Sequence, residues 1–69
     1  MAAVDIFLRV PEVLAAAGVS RSALYEMMES GKFPKPVKPN DDRAVRWLAS
    51  EIADWQKARI AARDNAVAA

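Results

Sequence analysis

The 69-residue sequence contains neither cysteine nor histidine, and these two absences exclude several kinds of site. Without them the chain cannot build the usual zinc centres, and it lacks the side chain that most often moves protons near neutral pH. The sequence also has no glycine-rich phosphate loop, no nucleophile–base pair and no cluster of metal ligands. We therefore predict a protein that is not an enzyme, with no catalytic residue, no metal site, no cofactor and no small-molecule substrate.

Long apolar runs are also missing, and no stretch approaches the length of a membrane span. The N-terminus lacks the basic-then-apolar pattern of a signal peptide. An absence of cysteine is compatible with a reducing compartment, although it does not prove one. We expect a cytoplasmic protein without a membrane partner, whose stability depends on packing alone.

The net charge is only +1, but the charges are unevenly distributed. Residues 32–46 hold five cations against two carboxylates, a net charge of +3, and the rest of the chain carries −2. A local strip of positive charge matters more for contact with phosphates than the overall sum. The cations of this basic strip are Lys32, Lys35, Lys38, Arg43 and Arg46.

A tight break separates two short helical patterns, at residues 11–17 and 21–30, and Gly31 is predicted to end the second. Gly18 can adopt the left-handed conformation that ends a helix, because it has no Cβ. Val19 then fills the corner, and Ser20 is a good N-cap for the second helix. This order of parts predicts a helix-turn-helix.

Apolar residues recur at the spacing of buried helical stripes in three places. We also expect the five aromatic residues to supply much of the buried area, with the two tryptophans in the core rather than stacked on bases. The predicted stripes are Val10, Val13, Leu14 and Ala17; then Leu24, Met27 and Met28; and finally Leu48, Ile52 and Trp55. The aromatic residues are Phe7, Tyr25, Phe33, Trp47 and Trp55.

Three prolines between residues 34 and 39 rule out a helix there and favour an extended path. A turn at residues 40–42 and a strand-like pattern after it predict a hairpin, or wing, over residues 36–47. A last helix is predicted to begin after Ser50 as its N-cap. The predicted fold is a single winged helix-turn-helix domain over residues 1–69, mainly α with a small β-hairpin wing, with frayed ends at 1–6 and 61–69.

The N-terminal end of the second helix carries small polar and cationic side chains. One interpretation is a capped helix with a solvated edge. The other is a recognition helix that enters the DNA major groove, where Arg can reach guanine or phosphate and Ser can bond to either. Lysines and arginines on an adjacent wing would contact phosphates or the minor groove. The candidate DNA-binding residues are Ser20, Arg21, Ser22 and Tyr25 on the helix and Lys32, Lys35, Lys38, Arg43 and Arg46 in the basic strip.

Two glutamates on the second helix are evidence against DNA binding, because a carboxylate on a recognition helix repels phosphates. An exception is a carboxylate that accepts from a cytosine amino group. We expect Glu29 to point past the edge of the groove, and the role of Glu26 stays open. These residues keep a second function under consideration: a protein-interaction module, an adaptor or antirepressor that binds another regulator.

Taken together, four segments resemble the AlpA family of phage-type transcriptional regulators, small relatives of MerR-like domains and excisionases. They are LRVPEVL at residues 8–14, GVSRSALY at 18–25, GKFPKPV at 31–37 and WLASEIADW at 47–55. The resemblance covers roughly residues 7–57, and the order of the segments is more specific than any one of them. The chain departs from the family at Glu26, often a basic residue, and in the predicted turn, often rich in glycine.

This resemblance implies a MerR-like winged helix-turn-helix that binds specific DNA sequences of a prophage or mobile element. It would act as a transcriptional regulator or as an excisionase, and would be nucleoid-associated when bound. The implied partners are double-stranded DNA, further copies of the chain on that DNA, and an integrase as a candidate.

Overall fold

The computed structural model describes residues 4–40 and 43–68, which form three helices and a short antiparallel sheet. In the sheet, Phe7 lies opposite Leu48 and Leu8 opposite Trp47. The N-terminal segment thus pairs with the strand that leads into the last helix. In chain order the elements are β1 (Phe7–Leu8), α1 (Val10–Ala17), α2 (Arg21–Glu29), β2 (Trp47–Leu48) and α3 (Ala49–Ala68).

The hairpin predicted over residues 36–47 is present as a narrow wing closed by the pairing of Val37 with Arg46. The Val37 amide donates to the Arg46 carbonyl at 2.7 Å, and the Arg46 amide donates back at 2.9 Å. Asn40 is in a turn conformation, and residues 41–42 of the predicted turn lie outside the described residues. Three helices with this wing confirm the predicted fold class, mainly α with a small β wing.

A three-residue turn joins α1 to α2, as the sequence predicts. Gly18 ends α1 with a φ of 69°, and its amide donates to the Leu14 carbonyl at 2.8 Å. Ser20 caps α2, because its hydroxyl oxygen accepts from the Ala23 amide at 3.2 Å. At the start of α1, the Glu12 carboxylate accepts from the Arg9 amide at 2.8 Å, which satisfies one of the free amides there.

The C-terminal end of α2 is closed by a Schellman motif centred on Gly31, whose φ is 74°. The Lys32 amide donates to the Met27 carbonyl at 2.8 Å, and the Gly31 amide donates to the Met28 carbonyl at 3.2 Å. The predicted stop at this glycine is confirmed, although Ser30 is the cap and not the last helical residue.

The prediction that α3 begins after Ser50 is wrong, because the helix begins at Ala49, directly after β2. Ser50 lies in the first turn, and its hydroxyl and amide both donate to the Asp5 carboxylate. The Ala49 amide donates to the Ile6 carbonyl at 2.8 Å. Asp5 of the N-terminal segment therefore takes over the capping role that local sequence assigned to the serine.

One face of each helix contributes to a single core, and the predicted stripes lie in it. The core residues are Val13, Leu24, Phe33, Trp47 and Ile52, and every other stripe residue except Leu48 packs around them, together with Leu8, Val19 and Val45. Of the five aromatic residues expected to supply much of the buried area, Phe7 and Tyr25 contribute less than predicted, since these residues are 49% and 45% exposed. Phe7 lies in the two-residue strand β1, and Tyr25 lies on the exposed face of α2.

Candidate nucleic-acid interface

The outer face of α2 is formed by five exposed side chains that cover an arc of about 140° at the helical spacing. Leu24, Met27 and Met28 occupy the opposite side and pack in the core. The exposed residues are Arg21, Ser22, Tyr25, Glu26 and Glu29. The structure thus places three of the predicted contact residues on one surface, and it places both glutamates on that surface too.

The N-terminal end of α2 is open to solvent. Ser20 is exposed, and its hydroxyl accepts from the Ala23 amide, which leaves its proton available to donate outward. The first hydrogen bond within the helix joins the Leu24 amide to the Ser20 carbonyl at 2.9 Å. The amides of Arg21 and Ser22 precede that bond and therefore have no carbonyl partner inside the helix. This helix end offers N–H donors and partial positive charge to an anion.

Four of the five cations in the basic strip are exposed. No carboxylate within residues 4–40 and 43–66 lies at ion-pair distance from them. Arg46 differs, because it is half-buried and its guanidinium donates to the neighbouring Val45 carbonyl at 2.8 Å. The exposed members are Lys32, Lys35, Lys38 and Arg43.

Both tryptophans use their indole N–H groups on the chain segment that joins α2 to the wing. Trp47 donates to the Pro34 carbonyl at 3.0 Å, and Trp55 donates to the Lys32 carbonyl at 3.1 Å. Phe33 lies between these carbonyls, and its ring meets that of Trp55 edge-on, with centroids 5.0 Å apart. The predicted core role of Trp47 and Trp55 is confirmed. Their hydrogen bonds have no signal in the local sequence.

Two further polar residues hold the helices in place, and sequence reasoning missed both. Gln56 of α3 donates to the Ala16 carbonyl in the last turn of α1 at 2.9 Å. Asp5 accepts from the Ser50 hydroxyl and from the amides of Ile6 and Ser50, and these bonds, the hydroxyl first, hold the pKa of its carboxyl below 3.8. The contact between Gln56 and Ala16 joins residues 40 positions apart, and that between Asp5 and Ser50 joins residues 45 positions apart.

Within the described ranges, no group of three or more acidic, cysteine or histidine side chains could hold a metal ion. Across the same residues, none of the helices combines the length and the apolar character needed to cross a membrane.

Three helices, a three-residue turn between the first two and a small β wing between α2 and α3 define the class of winged-helix proteins. Comparison with known families then gives the family: the chain belongs to that of the prophage CP4-57 regulatory protein AlpA, whose model matches residues 6–60. This is a family of phage regulatory proteins and not of enzymes. The resemblance inferred from the four sequence segments is thereby confirmed.

An uncharacterized protein of enterobacteria phage P4, ORF88, is 47% identical to this chain over 57 residues. The match covers 83% of this chain and 64% of that relative, so the chain spans less than two thirds of the relative's length. No solved structure matches the chain.

Proposed function

We propose that this protein binds specific sequences of double-stranded DNA and regulates genes of a prophage or mobile element. The observation that carries the proposal is the exposed N-terminal end of α2, with Ser20, Arg21 and Ser22 around free helix amides. α2 has nine residues, and an α-helix with its side chains is about 10–12 Å across, which fits the width of the major groove of B-DNA. Membership of a phage regulatory family supports the same function.

In this proposal some groups at the start of α2 contact DNA phosphates and others contact base edges. Ser20 and the free amides bind a backbone phosphate, which fixes the position of the helix. Arg21 and Ser22 then reach base edges, with the guanidinium paired to guanine or to a phosphate. Tyr25, one turn further along, donates its hydroxyl to the sugar-phosphate backbone. Glu29 lies two turns away from Arg21, at the end that leaves the groove.

The exposed cations of the basic strip supply the contacts that do not depend on sequence. If about four cations neutralise phosphates, the logarithm of the binding constant falls with the logarithm of salt concentration with a slope near −4. A fluorescence-anisotropy titration at several salt concentrations measures this slope. A slope near zero would contradict the assignment of the strip to DNA contact.

One copy of a domain this small buries little surface on DNA, so we propose that several copies bind side by side or as a dimer. Occupied or bent DNA then alters the access of polymerase or of an integrase, which makes transcriptional regulation and excision two outcomes of one binding mode. The protein acts in the cytoplasm at the nucleoid and catalyses no reaction. Sedimentation that finds one monomer per operator at nanomolar affinity would contradict multiple occupancy.

The decisive experiment identifies bound DNA and then removes one cation. Genomic fragments retained by the tagged protein are sequenced, and the recovered site is used to compare Arg21→Ala with Arg63→Ala. Both changes lower the net charge by one, but Arg63 lies in the exposed second half of α3, where it is paired with Asp64. We expect Arg21→Ala to weaken binding about ten- to hundredfold and Arg63→Ala to change it less than about twofold. Equal affinities of the two variants would overturn the role of α2.

The two glutamates exposed on α2 favour a second candidate, a module that binds a basic partner protein. In that case, Glu26→Gln and Glu29→Gln weaken partner capture, while Arg21→Ala leaves it intact. For DNA recognition the same glutamine variants have the opposite effect, because a repulsive charge is removed and affinity for unrelated DNA rises. Weaker capture of a partner protein by the glutamine variants would therefore support the interaction module, and tighter binding to unrelated DNA would support DNA recognition.

A further inference from the structure

The segment between α2 and the wing has no regular secondary structure, yet its main chain is held at both ends. At its start the Lys32 amide is bonded to α2, and at its end Val37 pairs with Arg46 through two hydrogen bonds. Pro34 and Pro36 restrict φ between these points. Whatever fixes the middle of this segment also fixes the angle between α2 and the wing.

The middle is held by the indole groups of Trp47 and Trp55, which come from two different elements. Their N–H groups donate to the carbonyls on either side of Phe33, at 3.0 and 3.1 Å. Phe33 itself is only 5% exposed, and its ring is in edge-to-face contact with Trp55. β2 and α3 therefore each donate one hydrogen bond to the main chain beside Phe33, one on either side of it. We call these two hydrogen bonds the grip on the connecting segment.

We propose that Trp47 and Trp55 are positioning residues that set the orientation of the wing relative to α2. Neither needs to touch DNA for this role. The consequence for binding rests on the proposed function: the grip holds the wing cations at the distance from Arg21 that a duplex requires. The wing has only one described pair of strand residues, so its own hydrogen bonds cannot define its direction.

Trp55 is the residue on which the proposal can be tested. Trp47 is fully buried, and its replacement would remove a large part of the core. Trp55 lies at the edge of the core and is half-buried, so a change there leaves the centre of the core packed. Benzothienylalanine at position 55 keeps the two-ring shape and loses the N–H donor. Trp55→Phe provides a second variant that needs no unnatural residue.

The chain also offers a matched control. Gln56→Ala removes another bond from an α3 side chain to a main-chain carbonyl, but that carbonyl belongs to α1 and not to the segment before the wing. It therefore reports the general effect of loosening α3. A change seen in the Trp55 variants and absent from Gln56→Ala is specific to the grip on the connecting segment.

The first measurement is amide hydrogen exchange on the free protein. We expect the benzothienylalanine variant to exchange the Val37 and Arg46 amides about fivefold faster relative to the core Leu24 amide, because one hydrogen bond is lost. Trp55→Phe should show the same pattern, and Gln56→Ala should leave this ratio unchanged. An unchanged ratio in the Trp55 variants, or an equal increase in Gln56→Ala, would overturn the proposal.

The second measurement uses the genomic DNA fragment recovered with the wild-type protein. We expect the benzothienylalanine variant to bind about three- to tenfold more weakly, with a salt slope less negative by about one, because the wing no longer holds its phosphate contacts in place. Unchanged affinity and slope would overturn this role in binding. If the wild-type protein retains no DNA, the proposed function fails, and hydrogen exchange still decides whether the tryptophans orient the wing.

Discussion

The two halves of α3 form one continuous helix, but they differ in burial and in their hydrogen bonds to other elements. Residues 49–56 include the buried Ile52 and the half-buried Trp55 and Gln56. Trp55 donates a hydrogen bond to the segment before the wing, and Gln56 donates one to α1. Every described side chain from residue 57 to 66 is exposed, and the ion pair there joins neighbours on the same helix, Arg63 and Asp64.

This difference shows where the folded domain ends along α3. Two turns after Ile52, the inward stripe is continued by the charged Arg59 and the half-exposed Ile60, so this face of the helix loses its apolar character. Beyond that point the helix extends through an alanine-rich sequence, in which intrinsic propensity and not packing favours the helix. The first half of α3 thus organises the other elements, and the second half contributes little to their stability.

The largest expected effect is on Ile52, in the organising half. Ile52→Ala removes a side chain that is 2% exposed and leaves a cavity in the core, so we expect the free energy of unfolding to fall by about 2–5 kcal/mol. A domain of this size has little stability to spare, and the variant is expected to be partly unfolded near room temperature. Urea denaturation followed by tryptophan fluorescence measures the loss. A change below about 1 kcal/mol would contradict the assigned core.

The sequence was sufficient for the parts of this fold that depend on local pattern. The turn at Gly18, the cap at Ser20, the stop at Gly31 and the core stripes all follow from helix periodicity and from residues with special backbone preferences. They fix α2, and with it the exposed candidate residues.

The parts that the sequence did not predict depend on pairs that are distant along the chain. Ser50 has the chemistry of an N-cap, but Asp5 and the Ile6 carbonyl arrive through the pairing of β1 with β2 and move the helix start to Ala49. The acceptors of the two indole N–H groups likewise become known only once α3 packs against the segment before the wing. The fraying predicted for residues 1–6 and 61–69 stays a prediction, although α3 extends to Ala68.

A smaller effect is expected where the organising half meets the N-terminal segment, and it depends on pH. Asp5 has a lowered pKa in the folded protein, so its bonds to Ser50 stabilise the fold fully above the unfolded value of 3.8. As pH falls below that value and through the lower folded pKa, the carboxyl is protonated and the contribution is lost. Asp5→Asn should therefore be less stable than the wild type at neutral pH, by less than Ile52→Ala.

The gap between wild type and Asp5→Asn should also close on acidification. Thermal unfolding of both proteins between pH 7 and pH 2 measures this gap, and Asp64→Asn serves as the control for loss of one exposed carboxylate in the distal half. A gap that stays constant across this range would show that the Asp5 charge has no part in holding the start of α3.

The smallest effect is expected for the same isoleucine-to-alanine substitution eight residues further along α3, at Ile60. Ile60 is 50% exposed, so Ile60→Ala removes little buried surface and exchanges a β-branched residue for the best helix former. These two contributions oppose each other, and we expect the free energy of unfolding to change by less than about 0.5 kcal/mol. Urea denaturation beside Ile52→Ala gives the comparison directly. A loss above about 1 kcal/mol at Ile60 would mean that the distal half is packed against something, and a loss that grows with protein concentration would identify that partner as a second copy of the chain.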